Sequence, residues 1–266
     1  DNDVNYMKAG IERANIVTTV SKTYAEEIKD PYYAYGLAGI LNARDYKIRG
    51  VVNGIDVDVF NPATDKNLVA NYTLKTVAKR AENKKALCEL MGFNYSPDRP
   101  LMVLISRLTE QKGIDLVATV LDEMLQADIQ LVVLGKGDWK YETILKNAEK
   151  TYNTKMRAII NFSQELASKL YGAADMFLMP SKFEPCGLGQ MIAMRYGAVP
   201  IVRETGGLKD TVEAFNPVTQ KGNGFTFKAY QAYDMLDAVW RTLGTYFDKN
   251  LWKKVQSNAM KCDFSW

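Results

Sequence analysis

From about residue 100 onward, short apolar runs alternate with segments of helical period. The runs at 101–105, 131–134, 158–160, 176–179 and 199–202 are separated by stretches at 114–125, 141–148, 165–174 and 187–196, where apolar residues recur every three or four positions. In the first stretch Leu116, Val117, Val120, Leu121 and Met124 share one face, and in the third Leu166, Ala167, Leu170 and Tyr171 do the same. Continuous apolar strands alternating with amphipathic helices predict a parallel sheet covered by helices on both faces. The predicted fold class is α/β, a Rossmann-like doubly wound parallel sheet. Two more helical stretches, 230–243 and 251–260, join near Asp248, and 72–90 reads as a charged helix or helix pair covering a surface.

The first 47 residues break this rhythm. They hold an amphipathic helix, a strand at 16–20, a helix opened by Ser21, and a Tyr/Gly-rich stretch reaching Arg44. One strand without a sequential partner does not make a domain. A boundary is therefore expected near Lys47, dividing the chain into a tail at 1–47 and a domain at 48–266. The chain opens on Asp1 and ends at Trp266, which suggests boundaries within a longer protein.

Composition narrows the chemistry. The 266 residues are 47% hydrophobic and 24% charged, ordinary for a globular protein, with a net charge of +3. A charge that small predicts no nucleic-acid partner and no anionic membrane surface, so any anion site must be local. No apolar run is long enough to span a bilayer. Cys88, Cys186 and Cys262 are odd in number and far apart, as expected of reduced thiols in a cytoplasmic protein. Histidine is absent, which removes the commonest general base and every Ser/His arrangement. Catalysis here would be mostly electrostatic.

In doubly wound sheets, ligands bind beyond the carboxyl ends of the strands. That directs attention to the loops at 106–113, 135–139, 161–164, 180–187 and 203–207. Ser106 to Gly113 places Arg107 and Lys112 where a strand gives way to a helix, and a guanidinium fork with an ammonium suits a diphosphate. Solvated surface charges are the plain alternative. In Ser181 to Gln190, Gly187 and Gly189 let backbone N–H groups approach a phosphate, and Glu184 could accept from a sugar hydroxyl or simply sit near a helix dipole. Cys186 has no base to activate it and reads as a small buried thiol. Thr205-Gly206-Gly207-Leu208 and Gly135-Lys136-Gly137-Asp138 are tight turns that gain weight by recurring at strand ends.

Together, Asn53-Gly54-Ile55-Asp56, Arg107 to Gly113, Phe183 to Gln190, Tyr196-Gly197, Thr205 to Leu208 with Asp210-Thr211-Val212, and Asp263 to Trp266 resemble the bacterial glycogen synthases and plant starch synthases. The resemblance implies the C-terminal domain of a GT-B glycosyltransferase, retaining configuration while moving glucose from ADP-glucose to an α-1,4-glucan. It implies catalytic roles for Arg107 and Lys112 at the diphosphate and for Glu184 at the transferred glucose. Substrate binding would involve Asn53, Phe162 against the nucleobase, Cys186, Gly187, Leu188, Gly189, Thr205 and Gly206. No metal and no cofactor are implied. The glucan would bind mainly through an N-terminal domain that these residues do not include, so the chain alone is expected to be inactive as a synthase.

Two positions depart from the family pattern. Gly189 stands where many members have threonine, and Ile192 stands where related transferases carry a second glutamate. Alternatives are a sucrose synthase-like or lipopolysaccharide glucosyltransferase, a glucan phosphorylase, and a non-catalytic nucleotide-binding module.

Overall fold

The computed structural model describes residues 4–266; residues 1–3 of the expected tail lie outside them. In chain order the first elements are α1 (Tyr6–Arg13), β1 (Val17–Thr19), α2 (Lys22–Glu27), α3 (Ala38–Ala43) and β2 (Ile48–Gly50). Ser21 caps α2 by accepting from the Tyr24 N–H, as a helix-opening serine should. β1 and β2 pair in parallel, Val17 with Ile48 and Thr19 with Gly50. They form a separate two-stranded sheet with its own small core of Ile11, Ala25, Ala34, Leu41 and Ile48. The boundary expected at Lys47 thus falls between two paired strands. The strand expected to open the larger domain is tied to the first unit, because among the described residues its ladder partner is β1.

The remaining elements are α4 (Arg80–Met91), β3 (Leu101–Ile105), α5 (Ile114–Gln126), β4 (Gln130–Gly135), α6 (Trp139–Thr151), β5 (Met156–Ile160), α7 (Gln164–Ala173) and β6 (Met176–Met179). They continue with α8 (Gly189–Tyr196), β7 (Val199–Arg203), α9 (Gly206–Thr211), β8 (Phe225–Phe227), α10 (Ala232–Phe247) and α11 (Lys249–Met260). Strands β3 to β8 make one parallel sheet in the order β5-β4-β3-β6-β7-β8. Alternate residues of each strand feed opposite faces. Met102, Leu104, Leu131 and Val133 pack with α5, α6 and α10, while Leu101, Val103, Val132 and Leu134 pack with α4, α7 and α8. Covered faces explain why the central strands β3 and β6 are apolar throughout rather than alternating.

The expected helix at 187–196 begins two residues later, because Gly187 has φ +74 and cannot join a right-handed helix. The expected helix pair at 72–90 is a 3-10 turn, Leu74–Lys79, leading into α4. It is less a surface cover than its charges suggest, since Arg80 and Lys84 are buried. The Arg80 guanidinium is occupied by the Tyr72 hydroxyl and the Tyr171 and Ala174 carbonyls.

Lys84 meets Asp175 at 2.8 Å, with only 6% and 12% of the two side chains exposed. Asp175 also accepts from the Leu101 N–H at 2.8 Å, pinning the start of β3. Truncating one member of a buried pair leaves the other uncompensated. Asp175→Ala is therefore expected to cost about 3–5 kcal/mol, checked by denaturant unfolding; a loss below about 1 kcal/mol, the size of an exposed pair, would contradict it.

Candidate functional site

The strand order reverses at one place. From β3 the chain steps outward through β4 to β5, returns to lay β6 on the other side of β3, and then steps outward again through β7 to β8. The topological switch point thus lies between β3 and β6, and the carboxyl end of such a point is where doubly wound folds bind ligands. The β3 loop carries Arg107 and Lys112, and the β6 loop carries Glu184. Sequence separation of 72 residues between Lys112 and Glu184 is closed by this single topological step.

The two loops are bound to each other. Lys112 Nζ donates to Glu184 Oε2 at 2.6 Å, with 15% and 8% of the side chains exposed. Ser181, fully buried, donates its hydroxyl to the same oxygen at 3.0 Å. The Lys182 N–H donates to the Gln111 carbonyl at 2.9 Å, and Lys182 Nζ reaches Glu110 at 2.7 Å. That ion pair raises the Lys182 pKa and lowers that of Glu110. Arg203 holds the Lys182 carbonyl at 2.6 Å from the neighbouring strand. Arg107, by contrast, is exposed, and its guanidinium has one long contact, 3.3 Å to the Gln111 side chain. The arrangement presents one fixed cation, one reachable cation and a fixed carboxylate.

The first turn of α8 completes this group. Its N-cap residue Leu188 provides no side-chain cap, as is also the case for α4, α5, α6, α9 and α10, whereas Ser163 and Asp248 cap α7 and α11. An uncapped N-terminus with its positive dipole end suits a phosphate oxygen. Gly189 lies close under the Phe177 ring, and a Cβ there would come within 3.0 Å of it. The bulk of Phe177 thus gives a packing reason for the small residue. Cys186 is buried, and burial pushes its thiol pKa up, opposed by a backbone hydrogen bond from Asn53. A raised pKa keeps the sulfur protonated and unreactive. The backbone of Asn53 therefore lies near the Cys186 thiol, two residues beyond Glu184. Ile55 N–H donates to the Phe264 carbonyl at 2.7 Å, so the C-terminal segment braces that turn.

Other expected residues fall differently. Phe162 is 82% exposed beyond β5, separated from the β3 loop by β4. The 135–138 turn is committed to bracing the β3 loop: Leu108 N–H donates to the Lys136 carbonyl and Asp138 N–H to the Leu108 carbonyl. Thr205 and Gly206 are engaged by a protein carboxylate, because the Thr205 hydroxyl and the Gly206 N–H both donate to Glu27 at 3.0–3.1 Å. Glu27 lay outside the sequence reading of the site; it is 178 residues from Thr205 and no local pattern marks it. Ser181 could have been noticed, as a hydroxyl three residues before the carboxylate it serves.

A cavity of about 250 Å³ lined by Arg80, Lys84, Tyr95, Asp175, Tyr246 and Trp252 lies at the opposite, amino-terminal end of the strands. Of its charged groups, Arg80, Lys84 and Asp175 are engaged within the fold and Lys249 pairs with Asp98, and the cavity is remote from the strand reversal. No described helix is long and apolar enough to cross a membrane.

The chain is similar to known proteins over nearly its whole length. Residues 93–257 match the family described as glycosyl transferases group 1, and residues 1–43 match that described as starch synthase catalytic domain. The chain is 51% identical over 264 residues to the glycogen synthase of Clostridium acetobutylicum, covering 99% of this chain and 55% of that protein. It is 48% identical to the glycogen synthase of Anoxybacillus flavithermus, covering 99% and 54%. Among solved structures it is similar to the catalytic domain of starch synthase IV from Arabidopsis thaliana bound to ADP and acarbose. That likeness has a TM-score of 0.93 and 38% identity over 99% of this chain and 55% of that one. The chain thus spans about half the length of the curated relatives it matches.

Proposed function

This chain belongs to the group 1 glycosyl transferases, and from that premise we propose that it is the donor-binding part of a retaining glucosyltransferase extending an α-1,4-glucan from ADP-glucose. The observation that carries the reading is the meeting of Lys112 and Glu184 at the strand reversal, with Arg107 exposed on the same loop as Lys112 and the N-terminus of α8 five residues beyond Glu184. Cations and backbone amides there suit a diphosphate, and the carboxylate beside them suits a sugar hydroxyl. From the end of β5 to that of β6 is three strand spacings, about 14 Å at about 4.8 Å each. Across it Phe162, then Arg107 and Lys112, then Glu184 follow the order of base, diphosphate and sugar in an extended nucleotide sugar.

The chemistry of such a site is electrostatic. As the glycosidic bond to the diphosphate breaks, negative charge grows on the leaving phosphate, where preorganised cations stabilise it more than they stabilise the bound donor. Glu184 would orient the transferred glucose through a hydroxyl. The acceptor glucan is assigned to the partner side of the crevice, which the unit at residues 4–50 flanks. We read 51–53 as the passage between that unit and the donor domain. A cytoplasmic location fits the reading, since Cys88, Cys186 and Cys262 are all free thiols.

Binding and transfer test this directly. In the complete protein, calorimetry is expected to detect ADP and ADP-glucose more tightly than UDP and UDP-glucose, and labelled glucose is expected to pass from ADP-glucose into a maltooligosaccharide. Binding without transfer would favour a nucleotide-binding module. Transfer from UDP-glucose alone would overturn the donor assignment.

A further inference from the structure

Two short helices that belong to different units hold each other by their ends. Glu27, the last residue of α2, receives the Thr205 hydroxyl and the Gly206 N–H at the start of α9. Asp210, near the end of α9, receives the Ser21 hydroxyl at 2.6 Å, the Thr23 hydroxyl at 2.6 Å and the Thr23 N–H at 3.2 Å at the start of α2. Each helix thus contributes a carboxylate to the orphan donors of the other. Ser21 and Thr205 are fully buried, while Glu27, Asp210 and Thr23 are half-buried at the edge of the contact.

The second half of the argument lies in what α9 touches. The Gly207 N–H donates to the Glu184 carbonyl at 3.1 Å. A Cβ on Gly206 would overlap that same carbonyl, and one on Gly207 would overlap the backbone of Cys186. At the other end of α9 the Thr211 hydroxyl accepts from Gln190 Nε2, which also donates to the Cys186 and Gly187 carbonyls at 3.1 and 2.9 Å. The backbone of residues 184–187 is therefore pressed between α9 and Gln190 with no slack. A shift of α9 becomes a shift of Glu184.

We propose that Glu27 and Asp210 are positioning residues: their reciprocal clamp sets the Glu184 carboxylate in place and makes that placement conditional on docking of the unit formed by residues 4–50. The inference rests on the reading of Glu184 as the residue that orients the transferred glucose. It goes beyond that reading by giving the first unit a role in donor-side geometry. Misplacement of about 1 Å in a reacting group can cost on the order of 10²-fold in rate.

The test uses the complete protein and the variants E27A, E27Q, D210A and D210N, with E184Q beside them, assayed well below each melting temperature. E27A and D210A are expected to lower kcat about tenfold or more while the donor KM stays within about threefold. E27Q should recover part of the loss, since its amide oxygen can still accept from Gly206. The E27A/D210A double variant should be no worse than the poorer single, because both act on one contact. A lowered melting temperature with unchanged kcat would reduce the clamp to a fastener, and a raised donor KM with unchanged kcat would make Glu27 a donor contact; either overturns the proposal. An active E27A beside a crippled E184Q overturns the clamp alone. A fully active E184Q overturns the reading of Glu184 and the clamp with it.

Discussion

Lys112→Ala, made in the complete protein, is expected to lower turnover on the order of 10²- to 10³-fold and to destabilise the fold, whereas Arg107→Ala is expected to lower turnover comparably and leave stability unchanged. The difference follows from what each cation does in the unliganded site. Lys112 neutralises a carboxylate that is only 8% exposed, at 2.6 Å. Removing it leaves Glu184 charged, nearly buried and supported by the Ser181 hydroxyl alone, which costs about 1–3 kcal/mol. Arg107 is exposed and makes one long contact, so its loss removes little from the fold. Both cations would stand beside the leaving diphosphate, where charge develops during bond breaking.

A double variant separates the two effects of Lys112. In Lys112→Ala/Glu184→Gln the orphaned charge is gone, so the melting temperature is expected to return toward that of the parent while turnover stays low. Steady-state kinetics with thermal unfolding on the four proteins reads this out. Near-parental turnover in both Lys112→Ala and Arg107→Ala would remove the diphosphate assignment.

How much of this was legible in the sequence varies with the distance over which each feature is determined. Strands β3, β4, β6 and β7 announce themselves, because strands covered on both faces are mainly apolar and the loops that end them are polar or glycine-bearing, whereas the edge strand β5 carries Arg157 and shows only its apolar run at 158–160. β8 does not: Phe225-Thr226-Phe227 is three residues long, and its strand character comes from pairing with Ile201 to Arg203. α9 reads locally as a turn because Gly206-Gly207 are poor helix formers, and it is held as a helix by carboxylates and backbone from elsewhere. The single strand near residue 17 gains its partner from residue 48, across the position where the break in rhythm suggests a division.

The site divides in the same way. Arg107, Lys112 and Glu184 could be singled out because strand ends locate loops, and loop chemistry can then be read residue by residue. That Lys112 and Glu184 touch could not, since it depends on β6 returning beside β3 rather than following β5. Thr205 and Gly206 read as part of a tight turn, one of several glycine-bearing turns whose recurrence at strand ends suggests a phosphate-lined cleft. Glu27 takes the Thr205 hydroxyl and the Gly206 N–H, and it arrives from 178 residues away. Local pattern reveals which groups can bind an anion, and only the fold decides which anion reaches them.

Glu184→Gln is the change that best isolates the role of the carboxylate. The amide is nearly the same size, and its oxygen can still accept from Ser181 and Lys112, so the loop geometry should survive. What disappears is the charge available to a sugar hydroxyl and to positive charge developing on the transferred glucose. A charge-assisted hydrogen bond contributes about 1.5–3 kcal/mol, so kcat is expected to fall about 10- to 100-fold. ADP affinity should move the other way. With the negative charge gone, Lys112 is released from its ion pair and the diphosphate loses a nearby repulsive neighbour, so calorimetry is expected to show ADP binding equally well or more tightly. A structural role for Glu184 would instead weaken ADP binding and lower kcat together, because the β3 and β6 loops would separate. A kcat within about twofold of the parent, far short of the loss expected for a charged contact, would mean that Glu184 does not touch the reacting sugar.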